Sequence, residues 1–302
     1  MENTTRKIRT KSCAVALGLA LLGMPWLTPA SAGQPDTVYF PSADGSTDLA
    51  AYLFKPQGNG PFPAVIMLHG RGGPYSSNVN SGCTLVSRTA PASPCNAGTL
   101  SKRHMMWGSY WAERGYLALL PDSFGPRGKA HGFGRHTHDD PERDDVNERT
   151  VRPLDAEGAL TYLRQRSDVA ASQIVLQGWS NGGSTALNVL FRQGAQSSGF
   201  RGALVFYPGC GEAALLGPTL RTNAPIALFL AADDEEVSPA LCISLAERSQ
   251  RAGTAIDTTV YPGATHGFDE PSASRQATAG NGPAMDDTLR RAAPLVFDWL
   301  KR

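Results

Sequence analysis

Apolar residues in this chain follow two alternating patterns. Short continuous apolar runs are separated by stretches in which apolar residues recur at helical spacing, the arrangement of repeated βα units around a mostly parallel sheet. Runs at 37–40, 49–54, 64–68, 117–120, 173–176, 203–206, 226–230 and 258–261 are the predicted strands, and 154–164, 184–192, 239–251 and 285–300 carry helical periodicity. The first two strands alternate polar with apolar positions and predict an antiparallel entry. From 64–68 onward the runs are continuously apolar, as strands covered on both faces are. Eight strands fit one sheet, and the alternation reaches the end of the chain without a linker, a repeat or a low-complexity segment. The expected architecture is α/β, one domain spanning 33–302.

Two stretches break the rhythm. Residues 72–100 are rich in Gly, Ser, Pro and Asn, and 125–147 are crowded with His, Arg and Asp. Both follow predicted strands, so both belong at the C-terminal edge of the sheet, where α/β folds place their sites. They are expected to form walls or a lid.

Composition narrows the class. With 41% hydrophobic and 18% charged residues among 302, the chain is too apolar to be disordered, and it lacks the basic excess of a nucleic-acid binder. The first 32 residues have the form of an export signal: Arg6, Lys7, Arg9 and Lys11, then an apolar core, then Ala30-Ser31-Ala32 as a small-residue cleavage site. Gly23 and Pro25 break that core short of the about 20 apolar residues that span a bilayer, which argues against a membrane anchor. Cleavage after Ala32 changes 28 basic and 27 acidic residues to 24 and 26, a net charge of −2 that points to no polyanionic or membrane partner. Cys13 leaves with the signal, while Cys83, Cys95, Cys210 and Cys242 remain for a periplasmic or secreted protein. Four cysteines allow three connectivities; nearness along the chain favours Cys83 with Cys95 and Cys210 with Cys242. No CxxC pair is present, which argues against a zinc cage.

The chemistry concentrates in a few turns. Gly178-Trp179-Ser180-Asn181-Gly182 lies directly after the predicted strand 173–176 and before a predicted helix. In that context GxSxG is a nucleophile elbow: the serine sits in a strained turn, and the amide of Asn181 at the helix start is placed to stabilise an oxyanion. A nucleophilic serine needs a base and an orienting carboxylate, in the order Ser, acid, His. His266 is the only histidine after Ser180 and follows the last strand. The acid belongs after strand 226–230, where Asp233-Asp234-Glu235-Glu236 stand in a row. Asp234 is the first choice and Asp233 the second; both glutamates are expected to face water or cap the following helix. Leu68-His69-Gly70-Arg71-Gly72-Gly73 fits the second oxyanion donor, through the Arg71 amide, with the His69 side chain structural. No phosphate-binding glycine pattern occurs in this segment. In the loop 131–145, His136, His138, Asp139 and Asp140 form a cluster with a metal-ligand look but no second ligand set, and a solvated lid is preferred there. Arg127, Arg152 and Asp155 are expected to form ionic contacts under it.

These segments together resemble the dienelactone hydrolase family of the α/β-hydrolase fold. The resemblance is carried by His69 to Gly73, Arg103-His104 with Trp107 before Gly115-Tyr116, and Asp122-Ser123-Phe124-Gly125-Pro126-Arg127-Gly128. It continues through Arg152 and Asp155 with Gly158-Ala159-Leu160, Gly178 to Gly183, Phe206-Tyr207-Pro208-Gly209-Cys210 and His266-Gly267-Phe268. It implies hydrolysis of esters or lactones without a cofactor or metal. The chain departs from the namesake enzymes in carrying Ser180 where they use cysteine, in the Cys83 to Cys95 insertion and in the export signal.

The expected function is therefore an exported serine hydrolase acting on small-molecule carboxylic esters or lactones through Ser180, Asp234 and His266. Two alternatives stand beside it. One is a peptidase or polyester hydrolase on the same fold, and the other is a binding protein that kept the fold without the chemistry.

Overall fold

The structure, a computed structural model, describes residues 1–2, 33–90, 92–135, 137, 140–194 and 199–301. The expected export signal at 3–32 lies outside these residues, as do Cys13, His136, His138 and Asp139. All eight predicted strands are present in one sheet: β1 (Asp36–Pro41), β2 (Asp48–Phe54), β3 (Phe62–Leu68), β4 (Leu117–Asp122), β5 (Val169–Trp179), β6 (Ala203–Phe206), β7 (Ile226–Ala231) and β8 (Ile256–Tyr261). Their spatial order is β1-β2-β4-β3-β5-β6-β7-β8. β1 and β2 run antiparallel, β2 joins β4 antiparallel, and every later pairing is parallel.

Alternation along the strands divides the apolar residues between two cores. In β3, Ala64, Ile66 and Leu68 face one and Val65 and Met67 the other. The first core is covered by α1 (Lys102–Ala112) and α6 (Asn281–Leu300), through Trp107, Trp111, Val296 and Trp299. Leu160 and Leu163 of α2 (Arg152–Arg164), Leu187 and Leu190 of α3 (Asn181–Gln193), and Cys242 and Leu245 of α4 (Pro239–Arg251) cover the second. A single turn, α5 (Ala273–Gln276), precedes α6.

Helix α1 was not legible in the sequence. Its apolar positions are crowded aromatics, and Gly108 interrupts them with a poor helix former. The glycine is there for packing: a Cβ at 108 would lie 2.5 Å from the Phe54 ring. Helix α3 begins earlier than its periodicity predicts, because two glycines at its start hide a first turn that is helical nonetheless.

Both long loops lie at the C-terminal edge of the sheet and are fastened to each other. Val86 N–H donates to Gly125 O at 3.0 Å, and Ala130 N–H to Thr84 O at 2.9 Å. Two disulfides close, Cys83–Cys95 across the first loop and Cys210–Cys242 between the end of β6 and α4, as the spacing favoured. Asp140 caps a short 3-10 turn by accepting the Glu142 amide at 3.0 Å, and no metal-binding group of three His, Cys, Asp or Glu occurs among the described residues.

Candidate active site

β5 runs straight into the elbow. Ser180 takes φ 53° and ψ −120°, a conformation that L residues rarely adopt, and α3 starts at the next residue. The turn is possible only because its neighbours lack side chains. A Cβ on Gly178 would run into the Gly182 carbonyl, and one on Gly182 into that of Leu68. The Gly70–Gly73 turn packs on the other side, where a Cβ on Gly70 would meet the Ser180 Cβ at 3.6 Å.

Ser180 Oγ lies 2.9 Å from His266 Nε2, and His266 Nδ1 lies 2.9 and 3.0 Å from the two Asp234 carboxylate oxygens. An Nδ1–H that donates to Asp234 leaves Nε2 free to accept the serine proton. Asp234 is only 1% exposed, and its Oδ1 also accepts the Glu236 and Val237 amides at 2.9 and 3.0 Å. Asp233, the second choice, is not in this line; its amide donates to Ala264 O at 3.0 Å.

The two oxyanion candidates, Arg71 and Asn181, both line the space beside Ser180. Asn181 opens α3, so its amide has no partner inside the helix. Its side chain is held by Arg152, a fully buried arginine that also donates to His69 O at 2.7 Å. Burial pulls the Arg152 guanidinium down to about 10, against the pull of Asp155 and Glu148. Arg127, not Arg152, pairs with Asp155, at 2.8 and 2.9 Å, and with Asp44 at 2.8 Å. The expected contact therefore divides in two, and Arg152 instead ties His69 to Asn181 at the start of α3. His69 is structural as expected: Nδ1–H donates to Gly70 O at 2.8 Å and Nε2 accepts the Ser123 amide at 3.2 Å. Burial, with Arg152 next, pushes His69 well below the usual histidine range and keeps it neutral.

Glu236 departs from the expectation of a solvated or capping acid, while Glu235 stays exposed as expected but has partners. Glu236 is 9% exposed and takes a bidentate fork from Arg71, Nε to Oε2 at 3.0 Å and Nη2 to Oε1 at 2.9 Å. Arg135 reaches the same carboxylate at 2.8 Å, and its Oε2 stands 3.7 Å from His266 Nε2. Glu235 accepts the His266 amide at 2.9 Å and pairs with Arg135 and Arg275. Burial raises the Glu235 carboxyl, but the His266 amide and Arg275 outweigh it and hold the group below its ordinary range. Runs of acids are usually solvated, and the arginines that recruit these two are remote in sequence. Tyr207 and Asp269 are two further residues that sequence reasoning passed over. The Tyr207 ring packs 4.8 Å from the His266 ring, and Asp269 lies three residues beyond the histidine.

A cavity of about 60 Å³ opens beside Ser180, lined by Asn181, Ser184, Gly209, Ala214 and Val237 and by the ionic side chains Arg71, Arg135, Arg143, Glu148 and Glu236. A hydroxyl, an imidazole hydrogen-bonded to it and a small polar space beside them form an arrangement that can carry out acyl transfer.

Solved structures share this architecture. A putative dienelactone hydrolase from Klebsiella pneumoniae subsp. pneumoniae is 15% identical, with a TM-score of 0.60 over 88% of this chain and 99% of that one. A dienelactone hydrolase-like promiscuous phosphotriesterase from metagenomic libraries is 17% identical, TM-score 0.64, over 88% and 99%. Thermogutta terrifontis esterase 2, in a form phosphorylated by paraoxon, is 20% identical, TM-score 0.57, over 89% and 96%. At these identities the likeness is one of fold, and it is that of the α/β hydrolases. The dienelactone hydrolase family model matches residues 98–302, well over half the chain. The chain belongs to the dienelactone hydrolase family, and its class is that of a carboxylic ester hydrolase.

Proposed function

We propose that Ser180 is the nucleophile of an ester or lactone hydrolase, with His266 as base and Asp234 as its orienting acid. Ser180 Oγ bonds to the substrate carbonyl carbon as its proton passes to His266 Nε2. The oxyanion is held by the amides of Asn181 and Arg71. The bond to the leaving alcohol then breaks, and His266 returns its proton to that oxygen. Water adds to the acyl-enzyme through the same base, and the acid departs as Ser180 recovers its hydrogen. The observation that carries this reading is the unbroken line from Asp234 through His266 to Ser180, with 2.9 Å at each link.

A small-molecule substrate is supported by the cavity beside Ser180, whose limited volume and ionic lining suit a short acyl group better than a polymer chain. We further propose that residues 1–32 are removed on export and that 33–302 is the mature domain. Two disulfides support an oxidising compartment, and no helix among the described residues is long and apolar enough to cross a membrane.

The test is Ser180→Ala in the mature protein. Turnover of p-nitrophenyl acetate is expected to fall by at least about 10³-fold, and labelling by a fluorophosphonate probe to vanish. Turnover at the wild-type rate would sink the assignment, and absence of labelling in the unmutated protein would favour a binding role.

A further inference from the structure

Among the described residues only two that are not glycine hold a positive φ: Ser180 at 53° and Tyr207 at 34°. Each costs conformational energy, and such residues persist only where the surroundings over-determine them. Both are anchored to the same group. Asp269 is fully buried, and its carboxylate accepts from the indole of Trp179 at 2.7 Å, one residue before Ser180. It also accepts from the hydroxyl of Tyr207, and from the indole of Trp107 on α1 at 2.8 Å. Arg103 Nε completes the set at 3.1 Å and sends Nη2 to Gly267 O at 3.3 Å, inside the histidine loop. Three hydrogen bonds and the Arg103 ion pair surround this carboxylate, so the buried group is not left without partners.

One side chain therefore joins four separate pieces of the site: the elbow strand, the end of β6, the first turn of α1 and the loop that carries His266. Tyr207 forms the link to the imidazole. Its hydroxyl is fixed by Asp269, and its ring lies edge-on against His266, 4.8 Å between centroids, on a face that Asp234 does not touch. Asp234 alone fixes the hydrogen-bonding edge of the imidazole, whereas a ring also needs a surface to stop it tilting out of line with Ser180.

Building on the reading of Ser180 and His266 as nucleophile and base, we infer that Asp269 is a positioning residue for both and acts through Trp179 and Tyr207. It touches neither Ser180 nor the His266 side chain. It holds the two strained residues in the register that brings Ser180 Oγ to His266 Nε2.

The experiment measures kcat and KM per active site titrated with a fluorophosphonate, so that unfolded protein does not count. Tyr207→Phe keeps the ring under His266 but frees it from Asp269; Asp269→Asn removes the charge and one acceptor. His266 acts in both acylation and deacylation, so a misplaced ring lowers kcat. Tyr207→Phe is expected to lower kcat about tenfold with KM shifted less than threefold, and Asp269→Asn to lower it more. A fall of threefold or more in kcat for Tyr207→Phe supports the role. A smaller change, with only the melting temperature reduced, overturns it and leaves Asp269 as a purely structural group. If Asp269→Asn fails to fold, Tyr207→Phe still decides. The parent reading fails separately, through Ser180→Ala.

Discussion

His266 stands between two carboxylate clusters of opposite character. On the side of the cavity beside Ser180, Glu235 and Glu236 are held by Arg71, Arg135 and Arg275, long side chains that keep 24 to 45% of their surface in water. Behind the imidazole, Asp269 is 0% exposed and is held by two indoles, a phenol and Arg103. The front cluster is electrostatic and adjustable, since exposed pairs are screened by solvent and their arginines have many rotamers. The rear cluster is more desolvated, since both indoles and the phenol are buried and Arg103 keeps only 18% of its side chain in water. The same residue type thus shapes the cavity at the front and sets backbone geometry at the rear.

Removing each cluster tests the contrast. The largest effect is expected for Asp269→Ala, which strands the Arg103 cation and two indole N–H groups in the core and should cost about 3–5 kcal/mol in urea unfolding. A loss below about 1 kcal/mol would erase the distinction between front and rear.

A smaller effect comes from pH. His104 packs against Trp179 near the rear cluster, donates Nδ1–H to Pro74 O at 2.9 Å, and leaves Nε2 without a hydrogen-bond partner among the described residues. Burial, with Arg103 next, pulls it down to about 4. Between the ordinary histidine value of about 6.5 and that lowered one, the unfolded chain binds a proton that the folded chain refuses. Stability should therefore fall as pH drops through this window, by up to about 1.4 kcal/mol per pH unit for this one group. Melting temperatures from pH 7 to 4.5 should slope less steeply in His104→Gln, and an unchanged slope contradicts the account.

The smallest effect belongs to the front. Arg135→Ala should cost less than about 1 kcal/mol of stability, because that side chain is 45% exposed. Glu236→Gln should weaken the hold on Arg71 and lower kcat/KM by roughly 3- to 10-fold, and the difference from wild type should narrow in 0.5 M salt on the order of the screening expected for half-exposed charges. A penalty on folding as large as that of Asp269→Ala would mean the front is as rigid as the rear.

How much of this was legible differs by element. The elbow was readable because its GxSxG pattern falls between a strand run and a helix run, although only Gly178 answers to a local contact, the Gly182 carbonyl, while Gly182 answers to the distant Leu68 carbonyl; His266 stood out as the one histidine after Ser180. Helix α1 hid behind Gly108, whose reason is the Phe54 ring across the core. Asp234 was separable from its three acidic neighbours only by preference. In the structure its carboxylate faces His266 Nδ1, Glu235 meets the His266 amide, Glu236 meets Arg71, and Asp233 stands outside the line.

Periodicity and turn chemistry, both of short range, were sufficient by themselves to set the eight strands, the mostly parallel sheet and the strand-turn-helix at Ser180. Only the tertiary structure decided which acids pair with distant arginines, which arginine ties His69 to Asn181, and that Asp269 gathers Trp107, Trp179, Tyr207 and Arg103. Those assignments depend on side chains as far as 166 positions apart in the chain, and on burial, which makes a carboxylate's partners obligatory.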